Sequence, residues 1–206
     1  MTAQISDSFT YKKKFYELVA QSGDRELFCP EEFGFHPSPL ETCCWAGYWC
    51  EFEISDAIYL QRLAVHCDAG NYPAICGRSA GMPSKGWYEQ SHVAHSYRPD
   101  NTGYQFYERL NLKIPYTGKI LVGSGFIEKF LINMGFQRAY AYKKLVEFEL
   151  EDGFVKSTAD LSRRAEEYRK MIGKADPIEF EDRSNIPQYI DRCFSLSYKD
   201  KTWWNN

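Results

Sequence analysis

Residues 42–65, TCCWAGYWCEFEISDAIYLQRLAV, carry the strongest structural signal in the chain and decide the fold class. Successive side chains of a strand point to opposite faces, so a period of two sorts the stretch into two sets. Cys44, Ala46, Tyr48, Cys50, Phe52 and Ile54 form an almost wholly apolar set, which is the expected core side. Trp45, Gly47, Trp49, Glu51 and Glu53 form the other, an aromatic platform running into two carboxylates. Ser55-Asp56-Ala57 breaks the alternation with turn formers, and Ile58-Tyr59-Leu60 begins a return strand of β-forming residues. The stretch therefore predicts a long β-hairpin.

Trp45-Ala46-Gly47-Tyr48, Glu53-Ile54 and Ile58-Tyr59-Leu60 resemble a hairpin segment of uncharacterised bacterial proteins that reads C-W-R-G-Y, then W-E-I, then L-Y-L. Thr117-Gly118-Lys119-Ile120, Met134-Gly135-Phe136-Gln137 and Glu151-Asp152-Gly153 are similar to later segments of the same proteins, so the likeness spans about two-thirds of the chain. Ala46 stands where those proteins carry Arg, and Phe52 where they carry Trp. The resemblance implies a bacterial, intracellular globular protein, has no assigned function attached, and suggests toxin immunity or antiphage defence as a setting.

A chain of 206 residues is long enough to bury a substantial core, and one domain over residues 1–206 is expected. Hydrophobic residues at 44% and aromatics at 17% argue against wholesale disorder. No stretch approaches the roughly 18 consecutive apolar residues of a membrane span. The first residues lack an apolar run after a basic start, so a cytoplasmic protein without membrane association is expected. Seven cysteines, an odd count with Cys43 and Cys44 adjacent, fit reduced thiols better than a disulfide framework. A net charge of −3 and a pI near 5.9 make nucleic acid an unlikely obligate partner.

Upstream of the hairpin, Tyr11, Phe15, Leu18 and Val19 recur at helical spacing, which predicts an amphipathic helix over residues 9–21. Downstream, residues 67–112 are rich in Gly, Pro and aromatics and read as a loop-rich insertion, with a short element near 104–110 and a tip at Pro83-Ser84-Lys85-Gly86. Residues 117–135 read as strand, a Gly123-Ser124-Gly125 turn, then a helix ended by Gly135. A second long strand is expected over 140–150, with Glu151-Asp152-Gly153 turning it back on itself. Ser157 and Asp160 suggest a capping box for a helix over 157–172, with Leu161, Ala165, Tyr168 and Ile172 as its stripe. A short helix near 187–194 precedes a tail over 195–206 that carries Trp203 and Trp204. Together these predict an α+β fold: a curved antiparallel sheet of two long hairpins, covered by three or four helices.

Several constellations carry candidate chemistry. His66, Cys67, Cys76, His92 and His95 offer imidazole and thiolate, but no paired C-x-x-C accompanies them, so no metal is expected. Neither does any motif call for a cofactor. Cys43 is the more accessible thiol at the hairpin start and is the candidate nucleophile, with a nearby histidine such as His92 or His95 as base. Glu51 and Glu53, or Glu147 and Glu149, lie on one parity and suit acid–base work, though a solvated strand face produces the same spacing. Gly123-Ser124-Gly125 before a helix presents amides to an anion, and helix capping accounts for it equally. Trp45 and Trp49, joined by Trp87 and Tyr88, are the candidate ligand-binding residues: stacking on a base, a sugar or a partner's side chain competes there with plain core burial. The leading expectation is a binding protein that holds a protein partner or a small ligand, nucleotide or sugar, through this aromatic face. The alternative is a small transferase or hydrolase built from Cys43, the histidines and the strand glutamates.

Overall fold

The computed structural model describes residues 2–23, 25–83, 103–172 and 186–202. Eight strands form one open sheet: β1 (Ser8–Tyr11), β2 (Lys14–Ser22), β3 (Tyr48–Ile54), β4 (Ile58–Val65), β5 (Gln105–Lys113), β6 (Gly118–Phe126), β7 (Tyr142–Glu151) and β8 (Phe154–Asp160). Their spatial order is β5-β4-β3-β1-β2-β6-β7-β8, antiparallel throughout except where β1 lies parallel to β3. Three α-helices appear among the described residues: α1 (Ser162–Ile172), α2 (Ile186–Phe194) and the single turn α3 (Tyr198–Lys201). The α+β class stands, with a larger sheet than two hairpins supply.

The expected hairpins are present as β3–β4 and β7–β8. Their tips meet, because the Val155 amide donates to the Asp56 carbonyl at 2.9 Å and the Ile58 amide to the Gly153 carbonyl at 2.9 Å. Phe9, Leu18, Cys50, Phe52, Leu63, Tyr107, Ile120 and Phe148 from seven strands pack into the main core on one face. Two smaller clusters lie elsewhere. One gathers Cys44, Trp49, Ala64, Tyr104 and Phe106; the other packs α1, through Ala165 and Ile172, on Leu121, Tyr142 and Leu145.

Three sequence expectations are corrected. Residues 9–21 are not a helix but the β1–β2 hairpin, turned by Lys12 and Lys13, whose φ angles of 49° and 61° are unusual for non-glycine residues. Lysines hide this turn from a reading based on glycine and asparagine. A register shift between Leu18 and Ala20 also breaks the period of two, which produces the helix-like spacing of Tyr11, Phe15, Leu18 and Val19. The helix expected after Gly125 is absent: β6 runs through Gly123, Ser124 and Gly125, and only the 3-10 turn Glu128–Phe130 follows. The helix expected from residue 157 starts at Ser162, because 157–160 still pair with β7. Its apolar stripe is as expected, and the cap belongs to Asp160, whose Oδ1 accepts the Ser162 amide at 3.0 Å.

The expected insertion over 67–112 gives its C-terminal part to the sheet as edge strand β5. Trp87, Tyr88, His92, His95, most of the Pro83–Gly86 tip, and Trp203 and Trp204 lie outside the described residues.

Candidate functional site

Asp7 immediately precedes β1 and shares the parity of Phe9 and Tyr11, so an acid stands where the strand's core-facing residues stand. The register explains why it stays there. Phe9 pairs with Phe52 of β3, which places Asp7 beside Cys50, whose amide donates to Asp7 Oδ1 at 2.7 Å. The Asp7 carbonyl accepts the Leu18 amide at 2.7 Å. Only Oδ1 is hydrogen-bonded among the described residues. Asp7 is half-buried and faces a cavity, while protein crowds its other sides. Burial pushes its carboxyl up from 3.8 to about 7, opposed by the Cys50 amide and reinforced by the charge of Glu26.

That cavity, about 750 Å³, lies at the end of the sheet where β2 ends and β3 begins. Leu18, Leu27 and Phe28 bring the main core to its floor. Tyr48 stands in its wall, with the hydroxyl within reach of the Phe28 carbonyl at 3.2 Å and Glu26 Oε2 at 3.3 Å. At the rim, Trp45 stacks on Phe194 of α2 with ring centroids 4.6 Å apart and planes 15° from parallel. Gln4 holds this corner, since its Oε1 accepts the Trp45 amide at 3.0 Å and its Nε2 donates to the Thr42 carbonyl at 2.8 Å. Trp45 remains 49% exposed, so it has surface left for a second ring. Among the described lining residues Arg25 is the cation, and Glu32 engages it at 2.8 Å.

The aromatic platform expected from one parity is divided. Trp49 is buried, edge-on to Tyr104 at 4.8 Å, and lines a second cavity rather than joining Trp45. The strand begins only at Tyr48; Gly47, with φ of 73°, lies in the turn before it, so the period of two does not extend back to Trp45.

The catalytic candidates part in the same way. The Cys43 thiol is half-buried and donates to Glu41 Oε2 at 3.5 Å; burial first, then Glu41, pushes it above the usual thiol range. A nucleophilic cysteine needs the opposite shift. Iodoacetamide is therefore expected to modify Cys43 more slowly than the exposed Cys76, as peptide mass mapping over a time course would show. Cys43 reacting first would reverse this reading. Glu147 is committed on both oxygens, to Lys119 at 3.1 Å and to the Tyr198 hydroxyl at 3.1 Å, and so fastens α3 to the sheet. Glu51 is buried, and burial raises its carboxyl while Arg62, 3.4 Å away, lowers it. His66 Nδ1 lies 3.0 Å from the Ser38 carbonyl, and no group of three His, Cys, Asp or Glu among the described residues is arranged to hold a metal ion. Gly123 and Gly125 open no helix; at Gly123 a Cβ would come within 2.5 Å of the Tyr142 ring, so the glycine serves packing.

Sequence reasoning missed Asp7 altogether. Its signal was the D-x-F-x-Y alternation, visible only once residues 7–11 are read as a strand. No helix among the described residues is long and apolar enough to cross a membrane. Comparison with protein-family models, with curated proteins and with solved structures found no match to this chain.

Proposed function

We propose that the protein is a small-ligand-binding protein whose site is the end cavity, and that its ligand is a sugar or a nucleoside rather than a phosphorylated nucleotide. The observation that carries this reading is Asp7: a carboxyl raised to about 7 on the cavity floor, with an oxygen to spare, beneath the rim stack of Trp45 and Phe194. A ring laid on Trp45 gains apolar contact, and hydroxyl or amino groups reaching inward find Asp7 and Tyr48. Among the described lining residues phosphate finds one cation, Arg25, already held by Glu32, and meets the carboxylates of Asp7 and Glu26. We place the protein inside a bacterial cell on the hairpin resemblance and on its seven free thiols.

Titration calorimetry with a panel of monosaccharides, nucleosides and the matching nucleotides tests the reading. Uncharged members are expected to bind, the nucleotides more weakly, and Trp45→Ala and Asp7→Asn each to weaken binding by about tenfold or more. Binding unchanged in both variants, or no binding across the panel, would overturn it. A second reading has one observation in its favour: a carboxyl titrating near neutrality suits a general acid or base. Chromatography of the recovered ligand separates the two, because a binder returns it unaltered.

A further inference from the structure

The row of residues that crosses the middle of the sheet is polar on the face opposite the main core. Glu108, Arg62, Glu51, Ser8, Glu17 and Gly123 are successive register partners on β5, β4, β3, β1, β2 and β6, so all lie on one face. Two clusters flank this row, Trp49 with Tyr104 and Phe106 on one side and Tyr142 with Leu121 and Leu145 on the other. Between them lies a second cavity of about 800 Å³, into which Ser8, Glu17 and Glu51 face. Its wall holds Phe15, Trp49, Phe126 and Tyr142; it carries three glutamates and, among the described lining residues, no Lys, Arg or His.

Acidic residues alone would not define a site. Glu51, however, is nine-tenths buried, and its Oε1 has no hydrogen-bond partner; its other oxygen lies 3.4 Å from Arg62. A buried carboxylate oxygen left without a donor is costly, and a ligand that supplies one removes the cost. Glu17 is half-buried and accepts the Tyr142 hydroxyl at 2.5 Å on Oε2. Ser8 on β1 separates the two glutamates, so their Cα atoms stand about 9.5 Å apart, two interstrand spacings. That separation suits two charges on one flexible ligand better than a single ion shared by both. Aromatic faces add attraction for ammonium groups and cover for the methylenes between them.

We infer that this second cavity binds a linear aliphatic diamine, one ammonium at Glu51 and the other at Glu17, with its methylene chain over Ser8 between the aromatic walls. The site is distinct from the end cavity and does not depend on the function proposed there.

Putrescine is the probe, n-butylamine the single-charge control and magnesium chloride the inorganic one, each titrated calorimetrically against the full-length protein. Putrescine is expected to bind at least about tenfold more tightly than n-butylamine, and magnesium at the same concentration is expected not to displace it. Glu51→Gln and Glu17→Gln are each expected to weaken putrescine by about tenfold or more, whereas Trp45→Ala leaves it unchanged. Should Glu51→Gln fail to fold, Ser8→Leu, which lies on the cavity face between the two carboxylates and removes neither, fills the path of the methylene chain and is expected to abolish binding. No putrescine binding at millimolar concentration, equal affinity for n-butylamine, or binding retained in Glu17→Gln or in Ser8→Leu overturns the inference.

Discussion

Asp7→Asn is expected to make the protein more stable above neutral pH and to flatten its stability between pH 4 and pH 7. An acid whose carboxyl is raised in the folded state binds its proton more tightly there than in the unfolded chain, so folding is favoured while both are protonated. As pH rises through the window from 3.8 to about 7, the unfolded chain releases the proton first and stability falls. The loss reaches at most about 4 kcal/mol at pH 8, at about 1.4 kcal/mol per unit. Asparagine keeps an oxygen for the Cys50 amide and has no charge to bury, so the variant resembles the protonated protein at every pH. Urea denaturation of both proteins at pH 5 and pH 8 checks this: the variant is ahead by about 2 kcal/mol at pH 5 and by about 4 kcal/mol at pH 8. A wild-type protein equally stable at both values would remove Asp7 from its place on the cavity floor. The same replacement weakens the proposed ligand, so stability and binding are expected to move in opposite directions, the pattern of a residue kept at a cost to the fold.

Gly153→Ala is expected to destabilise the fold by about 3 kcal/mol or more, far beyond an ordinary turn substitution. Asp152 and Gly153 turn β7 into β8 with φ of 47° and 81°, and an alanine Cβ at position 153 would come 2.2 Å from the Ile114 carbonyl oxygen. The clash is with backbone, which has nowhere to retreat: the Gly153 amide donates to the Tyr116 carbonyl at 2.8 Å, and its own carbonyl accepts the Ile58 amide. One residue thus ties β8 to the β5–β6 connection and to the β3–β4 tip. A measured loss below about 1 kcal/mol would mean that the tips part readily and that their junction does not hold the two hairpins together.

The hairpins were legible over 48–65 and 140–156, where alternation agrees with turn residues of the expected kind, Ser55-Asp56 and Asp152-Gly153, whereas 42–47 and 157–160 were misassigned. Where reading failed, a local signal was overridden. Lys12 and Lys13 adopt a conformation usually left to glycine or asparagine, held by pairing on both sides of the hairpin, and the shift at Leu18 and Ala20 imitates a helical period. Phe126, Ile127, Phe130 and Leu131 have helical spacing too, but Phe130 is buried while Leu131 is 47% exposed, so they never form one face. The site was less legible than the fold. Asp7 meets Tyr48 and Trp45, and Glu17 meets Glu51, only through β1, a four-residue strand whose parallel partner lies far along the chain. Trp45 was picked out because it is aromatic, and a carboxylate gains its meaning from the strand beside it.

Placing β1 and β2 at the centre of the sheet has a consequence for the chain as it is made. They leave the ribosome before β3 and β6, so Ser8 must wait for Glu51 and Glu17 for Gly123 before either outer edge of their hairpin is covered. Three lysines, Lys12, Lys13 and Lys14, sit at its tip, and all three are exposed in the finished protein. Charge at the end of an unpaired hairpin discourages pairing with a neighbouring nascent chain. A basic run that the folded molecule shows only as solvated surface thus guards the centre of the sheet during synthesis.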